Sequence, residues 1–176
     1  ISFAQGALRA HPHLYEEIKA VQNSDRKAGF AAFDRAFLNH LGFAVSNVFG
    51  ALFHNLTAGL FAKAPQDATE IGRHYRQLSR EAQNFALVAD MTVGLLGGGL
   101  KVKQKLSGRL ADALSELYLM SCALKRFEDD GNKPEDLTIV ELVMANGLAR
   151  FDHALRGAID NFPVTPARVL MRWLVY

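Results

Sequence analysis

The chain has 176 residues, enough for one domain with a sizeable hydrophobic core. An apolar fraction of 49% and a charged fraction of 22% exclude a disordered or fibrous polypeptide. Its 20 basic and 18 acidic side chains leave a formal charge of +2 with no dense Lys/Arg block, so no nucleic-acid partner is expected.

Alternating β-branched runs are absent, and no Asn-Gly or Asp-Gly pair stands between two such runs as a hairpin turn, so the elements are read as helices. Pro12 can open a helix running toward Val21, after a first segment ending near Ala10. A long second unit spans about Asp25 to Phe61, with a bend expected near Gly42. Asp67 and Glu70 have capping-box spacing, which starts a third helix that runs to the glycines at 97–99. The fourth helix carries Leu106, Leu110, Ala113, Leu114, Leu117, Ser121, Leu124 and Phe127 at spacings of three and four, hence on one face. Gly131 is placed to stop it. A fifth helix is predicted from about Leu137 to Asn161, and Thr165-Pro166 is expected to cap and open a sixth. Helices of this length joined by short loops predict an all-α fold, an antiparallel bundle of about five to six helices. Lys101, Lys103 and Lys105 near the start of the fourth helix, and Glu128, Asp129 and Asp130 at its end, oppose that helix's own dipole. In an antiparallel hairpin these charges would serve the neighbouring helix ends.

Chemistry-bearing patterns are sparse. Cys122 is the only cysteine, so no disulfide framework can form within the chain and a reducing, cytoplasmic compartment is expected. It is read as a buried structural cysteine, Lys125 being the nearest group along the helix that could stabilise a thiolate. The stretch GLLGGGLKVK lacks the glycine spacings of a phosphate loop and has no preceding strand, so it is read as a helix C-cap and hairpin. Histidines at 11, 13, 40, 54, 74 and 153 make no Glu-x-x-His pair; Glu70 and His74 are one residue too far apart, and no metal site is expected. Arg73, Arg76 and Arg80 share a helix face that could hold an anion, the default being a solvated charged face.

The segment Leu41 to Ala62 carries no Asp, Glu, Lys or Arg over 22 residues, long enough to cross a bilayer. Ser46, Asn47, His54, Asn55 and Thr57 are too many polar groups for a comfortable span. It is therefore read first as a buried helix of the bundle. The second reading rests its apolar side on a membrane or another domain, through Phe43, Val48, Phe49, Leu52, Phe53, Leu56 and Leu60. The chain begins ISFAQGALRA without a methionine or a signal-peptide pattern, and ends on the apolar helical RVLMRWLVY. An excerpt from a longer protein is the natural expectation.

The stretches FAQGALRAHPHLYEEI, LVADMTVGLLGGGLKVKQKLSGRLADALSELYLMSCALKRFEDDG and ARFDHALRGAIDNFP resemble the C-terminal part of the large bacterial acyl-CoA dehydrogenases of fatty-acid β-oxidation, from about Phe3 to Trp173. The resemblance implies an FAD enzyme that oxidises a fatty acyl-CoA to trans-2-enoyl-CoA and passes electrons to an acceptor of the electron-transfer flavoprotein type. It also implies a homo-oligomer, cytoplasmic or peripheral to the inner membrane. Residues 1–24 would be the end of the dehydrogenase core with a connecting helix, and 25–176 the accessory bundle. The family's catalytic glutamate lies in a Glu-Gly motif. Here Glu16 and Glu17 are followed by Ile18 and no other glutamate precedes a glycine, so base and flavin contacts are expected upstream of Ile1 and no catalytic or cofactor residue is assigned. The alternative is a non-catalytic interaction module for oligomerisation, membrane attachment or partner docking.

Overall fold

The computed structural model describes Gly6 and residues 13–57, 59–62 and 71–176. Among these, six α-helices and no strand are found. They are α1 (Leu14–Val21), α2 (Arg26–Leu56), α3 (Gly72–Leu96), α4 (Gln104–Asp129), α5 (Leu137–Asp160) and α6 (Thr165–Val175). The expected all-α bundle is what forms. The expectations for Pro12, the segment near Ala10 and the Asp67–Glu70 capping box lie outside the described residues; α3 is described from Gly72, with Ile71 preceding it and no side-chain cap.

Antiparallel pairing of neighbours can be read from cross-helix partners. Along α4 and α5, Arg109 Nη1 donates to the Gly157 carbonyl, while Arg150 Nε donates to Glu116 Oε1 nearer the turn. Rising numbers on one helix meet falling numbers on the other. The same holds for α2 and α3, where His40 meets Asp90 and Asn55 meets Asn84. Helix α6 closes the bundle against α2, α3 and α5.

The seam between α4 and α5 is the clearest product of sequence spacing. Leu106, Leu110, Ala113, Leu117, Met120, Leu124 and Phe127 are all buried, at alternating steps of four and three. Val140, Met144, Phe151, Ala154 and Ala158 answer from α5. This is knobs-into-holes spacing, and Gly147 makes room for one knob. A Cβ there would lie 2.6 Å from Met120 Cγ and 2.9 Å from its sulfur. Leu114 departs from the predicted face. It is 46% exposed and Met120 takes the inward position, because Leu114 sits about 100° round the helix from the seam.

Helix ends show where local rules hold. Asp25 caps α2, its carboxylate accepting from the Lys27 and Ala28 amides at 2.9 and 3.3 Å. α2 continues as one helix through Gly42. α4 stops as predicted: Gly131 has φ of +90°, its amide donates to the Glu128 carbonyl, and the Asn132 amide donates to the Phe127 carbonyl. That pair of bonds is a Schellman ending, and it needs the left-handed residue that glycine supplies. Thr165, in contrast, does not cap α6. It is the first helical residue, Val164 precedes it, and no side chain caps the turn.

The charges at the end of α4 also differ from expectation. Asp129 and Asp130 pair within their own helix, with Lys125 at 2.8 Å and Arg126 at 2.6 Å. The basic residue one turn back screens each acid from the helix's negative end, so the fifth helix is not needed to compensate them.

Candidate functional site

Three places among the described residues gather polar or titratable groups. The first is the junction of α1, α2 and α3. His40 on α2 reaches Glu17 of α1 with Nδ1 at 2.8 Å and Asp90 of α3 with Nε2 at 3.2 Å. Side-chain exposures of 13%, 13% and 5% for His40, Glu17 and Asp90 keep the contact largely from water. The His13 ring stacks on that of His40 at 6.4 Å and meets Phe43 edge-on at 5.7 Å. The group ties α1 to the bundle. Nearer the start of α2 the two helices also approach closely at Gly29, where a Cβ would lie 2.9 Å from the Ala20 carbonyl oxygen.

The second place is a cleft of about 580 Å³ between the end of α2 and helices α3, α5 and α6. Its mouth is apolar, with Leu52, Leu56, Leu148 and Trp173, and its floor is an amide and carboxylate network. Asn55 Nδ2 donates to Asn84 Oδ1 and to the Leu174 carbonyl, both at 2.8 Å, and Asn84 Nδ2 donates to Glu81 Oε2 at 3.0 Å. Arg80 Nε holds the other Glu81 oxygen at 2.9 Å. At the far wall the Arg156 guanidinium lies 3.9 Å from the centre of the Tyr176 ring, and burial pushes that phenol well above its ordinary range. Serine, cysteine, threonine and histidine are absent from the residues lining the cleft. Both lining carboxylates are engaged, Glu81 by an amide and a guanidinium and Asp152 by the Arg156 guanidinium. The network therefore fixes helices to one another and offers no nucleophile with an adjacent base.

The third place is His74, buried near the start of α3 with neither ring nitrogen partnered among the described residues. Burial, and then the Arg73 charge, lower its pKa from 6.5, so the ring is held neutral. The unfolded chain then binds the extra proton more readily. This contribution to stability is complete well above the unfolded value of 6.5 and is lost as pH falls through it toward the lowered folded value. We expect denaturant midpoints to drop as pH falls through 6.5 and below, and His74→Phe to remove part of that drop. An unchanged pH profile in the variant would contradict the buried neutral ring.

The candidates singled out in the sequence are scattered. Cys122 is exposed, not buried as expected. It lies on the outer side of α4, next to Tyr118, whose phenol is raised above its ordinary range chiefly by the hydrogen bond with Cys122. Lys125 is committed to Asp129. Arg73 pairs with Glu141 and Arg80 with Glu81, so the three arginines do not converge on one anion. The glycines at 97–99 form a 3-10 turn running to Lys101, entered through Gly97 at φ of +47°. No three His, Cys, Asp or Glu side chains among the described residues group as metal ligands.

The largest correction concerns the uncharged segment. A buried helix is the first expectation for Leu41 to Ala62, yet Phe49 and Leu56 are 67% and 78% exposed, and Val45, Phe53 and Leu60 are exposed too. Val48 and Leu52 pack against the core as a buried reading requires. The helix is apolar on both sides, and the bundle covers only one of them. Among the described residues α2 alone is long and apolar enough to cross a membrane, with mean hydropathy 1.4 over its best window. Sequence reasoning misses the His40 junction altogether; the signal is a histidine in the middle of an apolar helix, which has meaning only once Glu17 and Asp90 are known to face it.

No solved structure matches the chain. Residues 8–176 match the family described as acyl-CoA dehydrogenase, C-terminal, bacterial type.

Proposed function

The chain belongs to the bacterial-type acyl-CoA dehydrogenase C-terminal family, and from that premise we propose its part in the enzyme. It is the helical C-terminal part of an FAD-dependent dehydrogenase that oxidises fatty acyl-CoA to trans-2-enoyl-CoA. The family match over residues 8–176 carries this reading. The domain supplies scaffold and contact surface, and the reacting groups come from the polypeptide before Ile1.

The described residues do not fit the flavin. A diphosphate in the cleft would meet the carboxylates of Glu81 and Asp152, with Arg80 already held by Glu81. The Gly97–Gly99 turn is wound into a 3-10 helix, with the Gly97 amide spent on the Val93 carbonyl and the Val102 amide on the Gly99 carbonyl. No step of the reaction is therefore assigned to these side chains. The exposed face of α2 favours the alternative emphasis, in which the domain's own contribution is a docking surface.

The test uses the polypeptide that carries this chain together with its dehydrogenase part. Fatty acyl-CoA should bleach its bound flavin and release trans-2-enoyl-CoA when an electron acceptor is present. A polypeptide without flavin, or one inert toward short, medium and long acyl chains alike, would overturn the assignment.

A further inference from the structure

The end of the bundle where α3 passes into α4 carries positive charge that the chain itself leaves unanswered. Lys101, Lys103 and Lys105 are exposed there, and none of them has an ion pair or a side-chain hydrogen bond among the described residues. By contrast Lys125, Arg126, Arg150, Arg156 and Arg172 each hold a carboxylate. The lysines also stand beside the positive end of α4, where a cation is unfavourable. No bond from them to the last carbonyls of α3 offsets that cost.

Two of these lysines line a cavity. Lys103, Lys105 and Arg109 of α4 enclose about 540 Å³ together with Asn161 at the end of α5, and no carboxylate is among the lining residues. Asp160, the acid next to Asn161, is turned to Arg172 at 3.3 Å. Arg109 is held in place. Its Nη1 donates to the Gly157 carbonyl at 2.9 Å, and its stem lies across Gly157, where an added Cβ would come within 3.0 Å of Nε and 3.2 Å of Cδ. One N–H is spent on that anchor, and the rest of the guanidinium fork has no other partner among the described residues. The opposite wall is fixed as well, since Ser107 Oγ donates to the Leu100 carbonyl at 3.1 Å and ties the 3-10 turn to α4.

Two ammonium groups and an anchored guanidinium around one cavity, with no acid among them, call for an anion of more than one charge. A phosphate monoester carries about −1.5 to −2 at pH 7 and presents three acceptor oxygens, which suits a guanidinium fork flanked by point charges. Val102 and Leu106 are the apolar residues of the lining, and they offer no slot for a flavin ring system. The position of Arg109 selects the source of the phosphate. A flat layer of lipid headgroups would reach the exposed lysines but not Arg109, which is partly buried against α5.

We propose that the cavity between the start of α4 and the end of α5 binds the phosphate group of a soluble phosphate monoester through Lys103, Lys105 and Arg109. Inorganic phosphate is the probe, titrated into the 176-residue chain at constant ionic strength with chloride as the balancing anion. Backbone amide resonances of residues 102–106 should shift and saturate. Lys103→Gln combined with Lys105→Gln should weaken binding by roughly tenfold or more. Those changes remove charges that oppose the α4 dipole, so the double variant should melt no earlier than the parent. Gly157→Ala alters no charge but displaces the Arg109 stem, and it should weaken phosphate binding as well. Shifts that never saturate, or that chloride reproduces, overturn the proposal. So does phosphate binding that the double variant and Gly157→Ala both leave unchanged. A chain that sediments with phosphatidylglycerol vesicles while inorganic phosphate leaves its spectrum unmoved overturns it too, and would assign the lysines to a lipid surface.

Discussion

Replacing Phe151 by alanine should lower the stability of the chain by about 3–5 kcal/mol, the usual cost of deleting a fully buried aromatic ring. Phe151 is 1% exposed and stands on α5 where the cleft between α2 and α6 ends, beside Leu148 and Leu174. The ring thus joins the α4–α5 hairpin to the rest of the bundle. Its neighbours on α5 are fixed by the long seam with α4 and cannot collapse into the space. Because a domain of this size has only about 5–15 kcal/mol in hand, the variant should melt far earlier than the parent. Thermal and urea melts followed by circular dichroism decide the matter. An unshifted melt would mean that α5 and α6 do not pack as described.

The second large effect is expected at the α1–α2–α3 junction. His40→Phe keeps a ring of similar shape but removes both ring nitrogens from between Glu17 and Asp90. Leaving a buried hydrogen-bonding group without its partner typically costs about 1–3 kcal/mol, and more for a carboxylate. The loss should fall unevenly. α1 is short and depends on this contact and on the Ala20–Gly29 approach, whereas the α4–α5 seam does not. Limited proteolysis should therefore open the connection at residues 22–25 first, before the bundle melts. Asp90→Asn should be milder, because an amide oxygen can still accept from the ring. Equal protection of the 22–25 connection in parent and His40→Phe would show that the junction does not anchor α1.

The parts of the fold that are legible in the sequence are those in which one helix face alone is apolar. Spacings of three and four name six of the seven buried seam residues of α4, because a stripe of that period can face only one way. Gly131 is legible because a left-handed ending has few other solutions. The misreadings share a cause: they give residue type more weight than position. Free cysteines are usually buried, which places Cys122 in the core, yet it lies about 160° round the helix from Leu124, on the solvent side. Lack of charge places Leu41 to Ala62 in the core in the same way. A helix apolar on both faces says that both are covered in the working protein, but not by what. The single chain can supply a cover for only one. The His40 junction is illegible for a different reason, since Glu17 and Asp90 are 73 residues apart and meet only through the packing of α1 and α3 on α2.

On the proposed function, this chain is the structural C-terminal part of a flavin dehydrogenase and holds neither its cofactor site nor its base. The direct measurement is a visible absorption spectrum with a flavin-to-protein ratio, taken on the purified 176-residue chain after incubation with FAD and gel filtration. The same sample is then given fatty acyl-CoA and an artificial electron acceptor. A folded, helical chain that elutes colourless and transfers no electrons is the predicted result. A yellow chain with stoichiometric FAD that reduces the acceptor would contradict it.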